Sequence, residues 1–197
     1  MNARFPVVFA ISGVCLTASV SAAPADRFLI VPGHSIGHIV LGPNGAAELK
    51  HLPPADAGDA AMIQSSRVWV SKTSGHTDTL FVHTVANAAM GDTPVKPTDG
   101  VTINAIRITS RQFHIQSGIS TASTLAQVRR RFPDAHANHF TPQIYDDARH
   151  GISFEFAQPV RPASRCIGIV VYPPSSRSGS AETTQNQVDD LLKNSHA

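Results

Sequence analysis

The sequence predicts an α+β fold, with short helices packed on antiparallel sheet and arranged as two related helix-plus-three-strand units. Three observations predict it. Short apolar runs with period-two alternation, such as Val101–Ile108 and Ile152–Phe156, recur along the chain and are bounded by Gly, Pro, Asn and Asp; that is the pattern of strands. Each half holds only one short stretch with helical spacing. The order of elements in residues 23–110 returns in residues 111–174, where TLFVHTV is answered by ISFEF and INAIRITS by CIGIVVYP. An internal duplication accounts for that order. A single α+β domain whose strands merely look alike would also show it.

Composition narrows the class. Of the 197 residues 42% are hydrophobic and 15% charged, and the formal charge is +2. The charged share lies below the roughly 25% of ordinary globular proteins, which excludes a charge-rich disordered chain. A balance this close to neutral makes no electrostatic case for nucleic acid as a partner.

Residues 1–22 read as a secretory signal peptide. Arg4 is the only charge before Asp26, Phe5 to Val20 is apolar and small, and Val20-Ser21-Ala22 is a small-residue cleavage site. Cutting after Ala23 would leave Pro24 first, so the expected cut follows Ala22. The apolar run is shorter than the roughly 20 residues of a spanning helix, so an uncleaved anchor is the lesser alternative. Ser12-Gly13-Val14 before Cys15 lacks the pattern of a lipidation site. The expected location is the bacterial periplasm or the medium. No later segment is apolar for 18 residues, so no transmembrane segment is expected in the mature chain. Cys166 is then the only cysteine left and has no partner for an internal disulfide.

In the first unit, Phe28–Gly42 reads as an extended segment with a turn at Pro32-Gly33. A short helix is expected from Asn44, as cap, to Leu52, where Pro53-Pro54 stops it. Arg67–Ser71 and Thr79–Val85 are strands joined by a turn around Ser74-Gly75, residues 87–100 are a loop, and Val101–Ile108 is a strand. In the second unit, Phe113–Ile119 is extended. Thr124–Phe132 is a helix: Thr124-x-x-Gln127 fits a capping box, and Leu125, Val128 and Phe132 recur at three and four residues. Pro133 ends it. Strands follow at Gln143–Asp146, Ile152–Phe156 and Cys166–Tyr172. Residues 175–197 start Ser-rich and read as a flexible tail, within which Val188–Lys193 is too short for a persistent helix.

The second unit carries a resemblance. Gly118-Ile-Ser-Thr-Ala-Ser-Thr-Leu-Ala-Gln-Val-Arg-Arg-Arg-Phe-Pro-Asp-Ala135, then Tyr145-Asp146-Asp147, Gly151–Phe156 and Cys166–Tyr172 resemble the modules of β-lactamase inhibitory protein and of the small outer-membrane assembly lipoproteins. There a Ser/Thr-rich turn leads into a short helix that packs on three antiparallel strands. The resemblance implies an α+β fold and a protein-binding surface, with no catalytic residues and no cofactor.

His34 and His38 have HxxxH spacing, but Gly37 and Pro32-Gly33 spoil a helix there, and in a strand they would sit about 13 Å apart. His136 and His139, with Asp134, lie in a polar loop. No metal site is assigned to either pair. Asp146, Asp147, Glu155 and His150 form an acid/base cluster on paper, but read better as a polar hairpin tip, with Glu155 facing away from the side that buries Phe154 and Phe156. Gly33-His34-Ser35-Ile36-Gly37 matches G-x-S-x-G in letters, yet strand-like residues follow where the motif needs a helix. No catalytic or cofactor-binding residue is assigned. Partner-binding candidates are Trp69 and Tyr145, on equivalent strands of the two units, and Arg129, Arg130 and Arg131 at a helix end. The aromatics fit the core better than an exposed surface, and the arginines fit a solvated helix end. Cys166 is expected as a buried free thiol. The function expected is non-catalytic binding of another envelope or extracellular protein. A secreted hydrolase and a histidine-based metal or small-ligand binder are the alternatives, and the oligomeric state is open.

Overall fold

The computed structural model of the chain describes residues 26–43, 46–61, 64–73, 75–86, 100–139, 141–176 and 190–191. The signal peptide expected over residues 1–22 with its cut after Ala22, residues 87–99 of the expected loop, and most of the expected tail lie outside the described residues.

The α+β expectation is overturned: the protein is mostly β. Strand takes up 48% of the structure and helix 9%, too little helix to cover a sheet face. Short strands β1 (Leu29–Val31), β2 (Ser35–Ile36) and β3 (Ile39–Val40) come first, followed by α1 (Ala46–Leu49). Four longer strands follow: β4 (Ala57–Ala61), β5 (Gln64–Thr73), β6 (His76–Ala86) and β7 (Val101–Ile108). The second half gives β8 (His114–Ile115), α2 (Leu125–Arg131), β9 (His136–Ala137), β10 (Ile144–Asp147), β11 (Ile152–Phe156) and β12 (Cys166–Val171).

The expected units, each a helix on its own three strands, do not form. Strands β7 and β12 pair antiparallel, with Ile108 opposite Ile169 and Ile106 opposite Val171. That pairing fuses the strands of both halves into one eight-stranded antiparallel sheet, ordered β4-β5-β6-β7-β12-β11-β10-β9. The extended segments Phe28–Gly42 and Phe113–Ile119 form a second sheet, ordered β3-β2-β1-β8, in which β1 and β8 are parallel. Two edges that would each have been open to solvent are thus closed against one another.

Period-two alternation explains the core. Following the register across the large sheet, Trp69, Leu80, Ile108, Ile169, Phe154 and Tyr145 stand opposite one another in a single row. Ile30, Ile36, Ile39 and Ile115 of the small sheet are buried in the same cluster as Ile106, Ile108 and Phe154 of that face. Each fully buried residue of this size contributes about 1.5–3 kcal/mol of hydrophobic stabilisation.

Helix α2 packs against the large sheet at Phe154. The Thr124 hydroxyl accepts from the Gln127 backbone N–H at 3.3 Å, and the Gln127 side chain accepts from the Thr124 N–H at 2.8 Å. Both halves of a capping box are therefore made, and two otherwise unpaired donors of the first turn are satisfied. Leu125, Val128 and Phe132 are buried, and the Phe132 ring lies 5.0 Å from that of Phe154. Helix α1 is cut to four residues. Pro53 and Pro54 follow it and cannot continue a helix.

The other face of the large sheet also carries buried side chains, in keeping with the apolar run on both sides of Cys166–Tyr172. Val68 and Phe81 pack with Ala57, Val70 and Leu191. Ala105, Ile144, Val170 and Tyr172 form a second cluster.

Candidate functional site

Charged and polar side chains on that second face are committed to the fold. Glu155 was expected on a solvated side; it does face away from Phe154, but it is fully buried. Its carboxylate accepts from Arg107 Nε at 2.8 Å and Nη2 at 2.6 Å, while Arg107 Nη1 donates to the Thr79 hydroxyl at 3.2 Å. Arg107 stands opposite Val170 and Glu155 opposite Gly168, so the pair reaches across the intervening strand β12. A Cβ on Gly168 would meet the carboxyl carbon of Glu155 at 2.9 Å. Sequence reasoning missed Arg107. Its signal was the apolar run of Cys166–Tyr172 on both faces: a neighbour of a strand covered on both sides cannot keep a lone charge.

The Asp146, Asp147 and His150 group resolves into two local devices. Asp146 accepts hydrogen bonds from the Ser153 and Tyr172 hydroxyls. Burial, and then the hydrogen bond and charge of Asp146, hold the Tyr172 phenol well above its ordinary range. Asp147 is buried and accepts from the His150 backbone N–H at 3.1 Å, with His150 Nδ1 at 2.8 Å. This closes the turn into Gly151. There the backbone has φ of 66°, and a Cβ would meet the Gly33 Cα at 2.9 Å, so glycine suits both the conformation and the contact. Among the described residues, Asp147 is the side-chain hydrogen-bond partner shown for His150.

Ser35 lies in strand β2, opposite Val31 and Val40; a strand–turn–strand replaces the strand–turn–helix a nucleophile elbow requires. His34, His38, His136 and His139 are exposed. Among the described residues no three His, Cys, Asp or Glu side chains are grouped for a metal ion.

The partner-binding candidates are not brought together. Trp69 and Tyr145 sit at opposite ends of one core row, with four strands between theirs. Tyr145 is half-buried, edge-on to Phe156 at 5.5 Å. Arg129, Arg130 and Arg131 are all exposed. Cys166 is a free, buried thiol that donates to the Gly168 carbonyl at 3.2 Å. Burial pushes its pKa up to about 12.

A cleft of about 500 Å³ opens at the Trp69 end of the row. Trp69 and Leu80 from β5 and β6, Ile108 at the end of β7, and Phe113 beyond it give an apolar lining. Pro53 and Pro54 form a wall, and the Pro53 carbonyl accepts from Trp69 Nε1 at 2.8 Å, which fixes the indole. Asp56, Ser71, Asp78, Ser110 and Gln112 supply polar groups. Asp56 is itself anchored, its Oδ2 accepting from the Val70 N–H at 2.6 Å. An apolar hollow with a few placed polar groups is the general form of a binding site. Sequence reasoning named Trp69 but not its surroundings, because Pro53, Leu80 and Phe113 meet only through strand pairing.

Among the described residues no helix is long and apolar enough to cross a membrane. No family model matches the chain, and no curated protein does. Among solved structures, the chain is similar to the uncharacterized protein YfeY from Escherichia coli, at 14% identity and a TM-score of 0.37, over 72% of this chain and 98% of that one.

Proposed function

We propose that the chain is an exported, non-catalytic binding module of the bacterial envelope or medium, and that it takes apolar side chains of a protein partner into the Trp69 cleft. The observation that carries this reading is the cleft itself: an apolar lining of Trp69, Leu80, Ile108 and Phe113 left open at the end of an otherwise closed core row. The signal-peptide pattern of residues 1–22 supports export. An aromatic anchor held rigid by a hydrogen bond, as the Trp69 indole is by Pro53, favours binding because little freedom is lost on association.

The test uses the protein's one tryptophan as its own reporter. A partner captured from envelope extract is purified and titrated back, and Trp69 emission is followed. Saturable change is expected in the parent protein. In a cleft-filling variant, Gln112→Phe, with an unchanged unfolding midpoint, affinity should fall at least tenfold. A captured partner that binds Gln112→Phe as tightly as the parent, with no change in Trp69 emission, would place the interface elsewhere and defeat the reading.

A further inference from the structure

The Trp69 cleft has a polar end whose charge is all of one sign. Trp69 and Leu80 stand directly opposite one another on β5 and β6, and so do Ser71 and Asp78, two residues nearer the turn that joins these strands. Alternation puts both pairs on one face, the second about 7 Å from the first. An apolar floor therefore runs into a polar step that carries a carboxylate.

A second carboxylate is fixed on the other flank of β5. The Asp56 N–H donates to the Val68 carbonyl at 2.9 Å, and its Oδ2 accepts from the Val70 N–H at 2.6 Å. Asp56 thus straddles Trp69 from the β4 side, with its carboxylate at the residue before Ser71, while Asp78 faces Ser71 from the β6 side. Asp56 is exposed and Asp78 half-buried. Neither is in an ion pair among the described residues. The lining of the cleft includes both carboxylates and no Lys, Arg or His. Arg111, between Ser110 and Gln112 in the chain, lines a neighbouring hollow with His76, and Asp78 borders both hollows. Alternation turns Lys72 to the opposite face of β5.

We propose that the cleft takes an extended segment of a partner protein that carries a large apolar residue and, two positions on, a lysine or arginine. This rests on the reading of the Trp69 cleft as the binding site and names what that site selects. The apolar side chain fills the hollow over Trp69, Leu80 and Ile108. The cation sits over Ser71, flanked by Asp56 and Asp78. In an extended segment, side chains two positions apart share a side and lie about 7 Å from each other, which is the spacing of the two rows. A cation over Ser71 meets two opposite charges. An anion there would meet two like charges, which disfavours the wrong partner across an interface.

The test titrates three acetylated tripeptide amides into the protein, with phenylalanine first, serine second, and lysine, glutamine or glutamate third. Binding is followed by Trp69 emission and by calorimetry. The lysine peptide should bind in the millimolar range, several-fold tighter than the glutamine peptide and at least tenfold tighter than the glutamate peptide. Those differences should shrink as added salt screens the charges. Asp78→Asn and Asp56→Asn keep the side-chain size, and the latter keeps an oxygen for the Val70 N–H; each should bring the affinities for lysine and glutamine peptides together. Equal binding of all three peptides, or a lysine preference that survives in the double variant, overturns this inference and leaves the cleft reading standing. Failure of every peptide to bind overturns the cleft reading and this inference with it. A lysine preference retained in Gln112→Phe would place the peptide outside the cleft and overturn both.

Discussion

Gly168 shows what a single missing side chain does in a sheet. Arg107 and Glu155 belong to strands on either side of β12, and their bidentate pair crosses that strand at the one position without a Cβ. Such a pair specifies an arrangement more than it adds stability, because desolvating two charges offsets much of their attraction. Removing one partner is another matter, since the survivor keeps its charge in a dry place. Glu155→Gln should therefore lower stability by about 3–5 kcal/mol in urea unfolding, whereas the double change Arg107→Met with Glu155→Met should stay near or above the parent. A Glu155→Gln loss below about 1 kcal/mol would mean that water reaches the pair. Glu155 illustrates a limit of alternation: period two says which side a residue takes, and only the neighbours say whether that side is wet.

Among the elements, α2 and β11 are the most legible in sequence. The Thr124-x-x-Gln127 box is local, and so is the three-and-four spacing of Leu125, Val128 and Phe132; both need nothing beyond about two turns of helix to be satisfied. Ile152, Phe154 and Phe156 alternate within five residues, and all three join the core. Phe154 stands within the row between Ile169 and Tyr145, and against Phe132 of α2. Phe154→Ala should cost about 3–5 kcal/mol by leaving a cavity among neighbours held on both sides. A loss under about 1 kcal/mol would show that the ring is not enclosed. The opposite case is Phe28–Gly42. Its short apolar steps give β1, β2 and β3 only because the segment folds back on itself and pairs in parallel with β8. Parallel partners 85 residues apart in the chain leave no local mark.

At the scale of the molecule, the β7–β12 pairing holds the large sheet together. Cys166 starts β12, inside that arrangement and covered by it. Its thiol should react with a maleimide only when the protein opens globally, so the labelling rate should follow denaturant concentration as unfolding does. Fast labelling of the native protein, or a dimer lost on reduction, would contradict burial. The pH dependence has a definite sign. Burial raises the folded pKa from 9.0 to about 12, so the unfolded chain loses its proton first. The stability tied to the protonated thiol is complete below pH 9 and is lost as pH rises towards 12. Tyr172, shifted in the same direction by burial and Asp146, adds to the alkaline loss.

The sequence by itself determined strands β5, β6, β7, β10, β11 and β12, the capped helix, the prolines that stop α1, and the side each alternating residue would take. Those properties depend on neighbours within a few residues. Tertiary structure alone decided that the strands of both halves share one sheet, which turned an expected α+β arrangement into a mostly β one. It also decided that Glu155 meets Arg107, and that Trp69, Leu80 and Phe113 surround a cleft. The physical reason is that a strand's edge carries the same backbone donors and acceptors whatever its side chains. Which edge joins which is settled by the total apolar area buried and by the polar groups that must be paired, and both are sums over residues far apart in the chain.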